Sequence, residues 1–339
     1  MLKKRNYNFD ILRIIAMLMI ITHHIVINDF GLQKYLVTNE MILSNKQTLI
    51  LIIINSFVVI GVNIFFLLSG YFKIKLSLKK VLNIIISVYL IYGLVTLIGI
   101  LLGYVILDKT TIINLINPFG LYWFLLAYLI ITILSPILNL VIENITKTQA
   151  KYFIITLIIF FILYAYYKDD VVNIHGGYSL IWGISLYLIG GFINKFKIKN
   201  KNGIFYYFLF AIINSIIIYL LFKANKFDLA WKQYSYNNIL VFLESISIFI
   251  WFNSFEKQIN KSKIITFFAS STLITYLLHS TCWLTILRNY PVKTLIINNK
   301  FNIGIILLPI YVILIYLICS IVNLVYEKTV KLLINKVQK

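Results

Sequence analysis

The chain has 339 residues, of which 61% are hydrophobic and 12% charged, with a formal net charge of +20. Ordinary soluble domains carry roughly a quarter charged residues, so this composition excludes a water-surrounded globule and makes the bilayer the solvent. The positive charge is spread through short loops, where it reads more simply as topology signals and contact with anionic lipid than as a nucleic-acid-binding surface.

Apolar runs of transmembrane length recur along the whole chain. Ten helices are expected, at residues 8–28, 48–72, 81–107, 121–142, 152–167, 178–194, 204–222, 237–253, 265–287 and 303–325. Backbone polar groups in hydrocarbon need internal partners and no alternating barrel pattern is present, so the fold class is all-α, a polytopic integral membrane protein. No loop is long enough to hold a soluble domain, which gives one membrane domain over residues 1–339. Twenty Lys and Arg fall on one set of loop ends and ten on the other. The richer set is expected to be cytoplasmic, which puts both termini there. The basic start imitates a secretory signal, but Asp10, Arg13 and the His23–His24 pair interrupt the run, so an uncleaved helix is expected. Cys282 and Cys319 both fall in expected helices and offer neither a disulfide scaffold nor a metal site.

Ionisable side chains at membrane depth are costly, which makes Asp10, Arg13, His24, Glu244 and His279 the functional candidates. At 100° per residue, and with Asp10 as zero, Arg13 falls near −60° and His24 near −40°, whereas His23 falls near −140°. Asp10, Arg13 and His24 therefore share a face that His23 leaves. Eleven residues separate Arg13 from His24, about 16 Å of helix rise, so one helix spans from a cation near one membrane surface to a base toward the other. The plainer reading is an i,i+3 interfacial pair of Asp10 with a snorkelling Arg13, and a His24 hydrogen-bonded to a neighbouring helix. Glu244 and His279 reach the depth of His24 on the eighth and ninth helices and could converge on it. A glutamate beside a histidine would orient the imidazole, but depth alone does not give contact, and Glu244 reads as structural as readily as functional. His175, beside Gly176 and Gly177, reads as a loop residue facing solvent.

In the second helix, Gly61 and Ser69-Gly70 permit close helix approach. Tyr122-Trp123-Phe124 opens the fourth helix as an aromatic anchor at the membrane surface would.

Taken in order, these segments resemble the acyltransferase-3 family of membrane-bound acyltransferases. Phe9-Asp10-Ile11-Leu12-Arg13 followed by His24 resembles the family's Leu-Asp-x-Leu-Arg opening and Arg-x10-His spacing. Phe65, Phe66, Ser69, Gly70 and Tyr71 resemble its Phe-Phe-x-x-Ser-Gly-aromatic signature, Trp123-Phe124-Leu125 its Trp-Phe-Leu element, and Tyr276-Leu277-Leu278-His279 its Tyr-Leu-x-His element. One stretch departs. Where many members carry Arg-x-x-Arg-Ile-x-Pro, this chain has Lys80-Val81-Leu82-Asn83-Ile84-Ile85-Ile86. Lys79 and Lys80 keep point charges there, but bidentate phosphate recognition is lost.

The resemblance implies a bacterial cytoplasmic-membrane O-acyltransferase with no bound cofactor or metal. Its donor would be a cytoplasmic acyl-CoA, most commonly acetyl-CoA, and its acceptor a hydroxyl of a cell-surface polysaccharide or lipid-linked sugar. It makes His24 the base, with Arg13 and Asp10 on the donor side, and puts Lys79, Lys80, Ser69, Trp123, Glu244 and His279 at the substrates. A competing class is a transporter of polysaccharide units or acyl groups, whose pathway intramembrane charges would line.

Overall fold

The computed structural model describes residues 5–38, 43–165, 174–257, 259–279 and 300–337. Among them the chain is helical, without strands. In chain order the helices are α1 (Tyr7–His24), α2 (Leu32–Thr38), α3 (Asn45–Val58), α4 (Gly61–Tyr71), α5 (Leu78–Leu101), α6 (Lys109–Ile116), α7 (Trp123–Asn144) and α8 (Lys147–Ala165). There follow α9 (Leu180–Lys195), α10 (Gly203–Lys223), α11 (Phe227–Lys232), α12 (Ile239–Asn253), α13 (Lys263–Ser270), α14 (Thr272–Leu278) and α15 (Phe301–Val337).

Among the described residues, six segments are long and apolar enough to cross a bilayer: Tyr7–Asp29, Asn45–Tyr71, Leu78–Leu101, Trp123–Asn144, Gly203–Lys223 and Phe301–Lys328. The chain is thus a multi-pass membrane protein. Leu180–Lys195 and Ile239–Asn253 are apolar but shorter. The expected ninth span, 265–287, is two short helices, α13 and α14, that meet at Ser271, and its part beyond residue 279 lies outside the described residues, as does Cys282. The expected second span is α3 and α4 together, interrupted at Val59–Ile60.

Small residues set the helix approaches. A Cβ built on Gly70 would stand 1.7 Å from the Tyr187 carbonyl oxygen, and one on Gly190 would stand 2.1 Å from that of Leu67, so α4 and α9 touch backbone to backbone. Gly61 presses on the Ala16 carbonyl and Ile20 in the same way, bringing α4 against α1. In α7, Pro136 withholds the N–H that would reach the Thr132 carbonyl, and the Ser135 hydroxyl donates to that oxygen instead, at 2.8 Å.

Side-chain bonds tie the lysine-rich connections together at one end of the bundle. Asn8 donates to the Lys257 carbonyl and accepts from the Ile259 N–H, Lys73 pairs with Glu143 at 3.0 Å, and Lys195 donates to the Glu143 and Ile145 carbonyls. Asn194 and Asn253 donate to the Tyr71 and Ile198 carbonyls. Deeper in, buried Asn63 accepts from the Trp182 indole N–H and donates to the Tyr236 carbonyl and the Ser245 hydroxyl, locking α4, α9 and α12 to one another.

Candidate active site

The first helix opens with Asn6 as N-cap, its side chain accepting from the Asn8 N–H, and α1 runs unbroken from Tyr7 to His24. Immediately after His24 the winding loosens into a π turn, Ile25–Asp29. Such turns recur where a side chain must be aimed at a function.

The two adjacent histidines leave α1 in different directions, as their rotation about the axis requires. His23 is buried, with Nδ1 2.7 Å from the Asn55 side-chain oxygen on α3. His24 is half-buried and meets His279, just past the end of α14: Nδ1 of His24 stands 2.8 Å from Nε2 of His279, and the rings lie within 9° of parallel. The other nitrogen of His279, Nδ1, is 2.8 Å from the Tyr276 carbonyl and 3.1 Å from that of Thr275.

These contacts fix the tautomers. Carbonyl oxygens only accept, so Nδ1 of His279 carries the hydrogen and Nε2 offers a lone pair. His24 must then donate from its own Nδ1, which places its basic lone pair on Nε2. The pair is a base whose ring is held by a second imidazole, itself anchored to backbone.

Glu244 does not share in this arrangement. It is fully buried on α12, and neither carboxylate oxygen has a hydrogen-bond partner among the described residues. The expected convergence on His24 therefore holds for His279 and fails for a direct Glu244 bond. Equal depth on two helices does not put them on facing sides.

At the other end of α1, Asp10 is buried and holds two cations. Arg13 Nη1 reaches Oδ1 and Arg5 Nε reaches Oδ2, each at 2.5 Å. The Arg13 guanidinium also lies 5.1 Å from the Phe72 ring centre, a cation–π distance. A mostly apolar cavity of about 320 Å³ begins here and runs between α1, α4, α5, α7 and α14. Arg13, Ser69, Lys80 and Asn83 supply polar wall, and Phe124 and Tyr276 lie on it too. The Tyr276 ring is 5.6 Å from that of His279, so one aromatic side chain separates the cavity wall from the histidine pair. A second cavity, about 430 Å³, shares Arg13, Phe72 and Thr272 with the first and adds Arg5, Asn6 and Asp10.

Ser69 and Lys80 therefore stand where a ligand in the cavity would meet them, whereas Lys79 is exposed and off its wall. Trp123 is also off that wall. It packs against Tyr178 at 5.0 Å and Tyr236 at 5.9 Å, while the next residues, Phe124 and Leu125, face the cavity. His175 is exposed in a short turn, as a loop residue would be. Among the described residues no group of three or more His, Cys, Asp and Glu is placed to hold a metal. Arg5 is the residue that sequence reasoning counted only as a topology charge.

Comparison with curated proteins and with solved structures gives no match. A family model described as an acyltransferase domain covers residues 6–324, which takes in α1, the first cavity, the histidine pair and all of the second cavity's wall but Arg5, and on that match this membrane protein belongs to the acyltransferase-3 family.

Proposed function

We propose that the chain is an O-acyltransferase that moves an acyl group, acetyl in the first instance, from acyl-CoA to a hydroxyl of a cell-surface polysaccharide or lipid-linked sugar. In this reading both termini are cytoplasmic, in the cytoplasmic membrane of a bacterium, and the donor enters from the end that carries Arg13 and Lys80. Its charged part stays with those cations, and its thioester arm follows the apolar cavity toward Tyr276. The rise from Arg13 to His24, about 16 Å, suits an extended arm whose charged and reacting ends must be held apart.

The chemistry follows from the tautomers. A sugar hydroxyl is a poor nucleophile at neutral pH, and Nε2 of His24 takes its proton as the oxygen attacks the thioester carbonyl. His279 accepts the Nδ1 hydrogen of His24 throughout and keeps the ring aimed. The tetrahedral intermediate then expels the thiolate, which recovers the proton from His24 and leaves as free coenzyme A. The C–S bond breaks, the ester C–O bond forms, and no proton is gained or lost overall.

The observation that carries this reading is the His24–His279 pair, one aromatic residue from a cavity whose far end holds Arg13 and Lys80. The test is incubation of purified protein with labelled acetyl-CoA and a surface glycan. Label is expected to enter the glycan as a base-labile ester. Passage of unmodified glycan across a proteoliposome membrane, with no incorporation, would replace the enzyme by a transporter.

A further inference from the structure

We propose that Arg5 is a phosphate-binding residue of the donor site, forming with Arg13 a two-guanidinium grip where Asn83 has no charge to offer. This rests on the reading that the donor is a coenzyme A thioester.

Two arginines on one carboxylate are more than the carboxylate needs. Arg13 alone completes an i,i+3 pair with Asp10 inside α1. Arg5 comes from outside the helix, five residues before Asp10, to occupy the second oxygen. The three groups together keep one positive charge, and Lys80 on the adjoining wall makes it two. Arg5 binds Asp10 through Nε, so the donors of its two terminal nitrogens are not used on that carboxylate. Those are a planar fork of the kind that grips two phosphate oxygens at once.

The place is suited to an anion in two further ways. Arg5 and Arg13 both line the second cavity, which joins the first through Arg13, Phe72 and Thr272, so a phosphate held there would connect with an arm in the apolar cavity. It also lies at the N-terminus of the 18-residue α1, whose dipole favours negative charge. The side chains are 45% and 30% exposed, against 1% for Asp10. Asp10 is thus the buried post, and the two guanidiniums are the accessible surface fixed to it. Asn83 is on the wall of the first cavity, which Arg13 also lines, so an arginine there would add a cation to the same route.

The experiment is titration of the purified, detergent-solubilised full chain with coenzyme A at several salt concentrations, comparing wild type with Arg5→Gln and with the double variant Arg5→Gln, Asn83→Arg. Arg5→Gln is expected to weaken coenzyme A binding about tenfold, the worth of one charge-assisted contact, and to flatten the dependence of affinity on salt. Adding Asn83→Arg is expected to restore most of both. Unchanged affinity in Arg5→Gln overturns the proposal. So does a loss of affinity with undiminished salt dependence, which would mark damage to the Asp10 post and not loss of a phosphate contact. Wild-type protein that binds no coenzyme A would remove the donor reading itself, and this proposal with it.

Discussion

Nδ1 of His24 and Nε2 of His279 stand 2.8 Å apart, although 255 residues separate them in sequence, and the backbone carbonyls behind His279 dictate which of the two nitrogens holds the hydrogen. The consequence is directional: His279 accepts and His24 donates, so the free lone pair of the pair lies on Nε2 of His24, the proton acceptor in the proposed reaction. His24→Ala is expected to lower kcat by a factor of about 10² to 10⁴, the usual worth of a general base, with insertion and expression unchanged. His279→Ala is expected to cost less, because the base survives but its ring is no longer held. His279→Gln should retain more than His279→Ala, since an amide oxygen can still accept from Nδ1. Steady-state kinetics decide it: a His279→Ala protein with wild-type kcat would show that the pair has no part in turnover.

Asp10 gives the second prediction. It is 1% exposed with both oxygens on guanidiniums, so Asp10→Asn leaves two cations without their counter-charge and one of them without an acceptor. Since the guanidiniums remain partly in water, the loss of stability is expected to be modest, about 1–2 kcal/mol. The sharper effect should be on the donor, with KM for acyl-CoA rising severalfold while kcat stays near wild type, because the cations lose position and the histidine pair does not. Equal loss in kcat and kcat/KM would place Asp10 at the transition state instead.

How much of this was legible in the sequence depends on whether a relation is carried by one helix or by several. The choice of His24 over His23 follows from 100° per residue within α1, and the structure sends them to His279 and Asn55 as that rotation requires. The lysine-rich connections gather at one end because alternating spans put alternate loops together, which a charge count can read. Arg5 was not readable in this way. It precedes the N-cap Asn6, so helical angles do not apply to it, and its reach back to Asp10 depends on how the chain enters the helix. Whether Glu244 touches His24 is unreadable for a related reason. Span boundaries give depth, but the facing of α12 toward α1 is set by packing of Asn63 against Ser245 and by the glycine contacts of α4, which no single helix encodes. The breaks at Val59–Ile60 and Ser271 were also invisible, since neither site carries a proline.

The glycines of α4 and α9 make a paired prediction. Gly70→Ala would drive a methyl into the Tyr187 carbonyl at 1.7 Å, a clash with backbone that no rotamer relieves, so the two helices must separate. Overpacking of a close contact costs roughly 1–3 kcal/mol even where side chains can yield, and more is expected here. Gly93 on α5 has nothing within 4 Å of its built Cβ. Gly93→Ala is expected to be neutral or to stabilise by up to about 1 kcal/mol through helix propensity. Thermal unfolding of the two variants in the same detergent checks this, and similar curves for both would mean that α4 and α9 are not packed backbone to backbone.

Glu244 supplies the last. Its two oxygens are buried within α12 and neither has a hydrogen-bond partner among the described residues, so none of these residues offsets its desolvation cost with a bond. An unsatisfied buried polar group costs about 1–3 kcal/mol, and removal of the group together with its cost is the substitution that gains. Glu244→Met, close in length and without the two oxygens, is therefore expected to raise the apparent unfolding temperature by a few degrees, where Glu244→Ala would lower it by leaving a cavity. The order of the three proteins carries the argument: a carboxylate that packs as dead weight gives Met above wild type above Ala. If Met falls below wild type, the carboxylate has a stabilising partner that burial alone does not reveal.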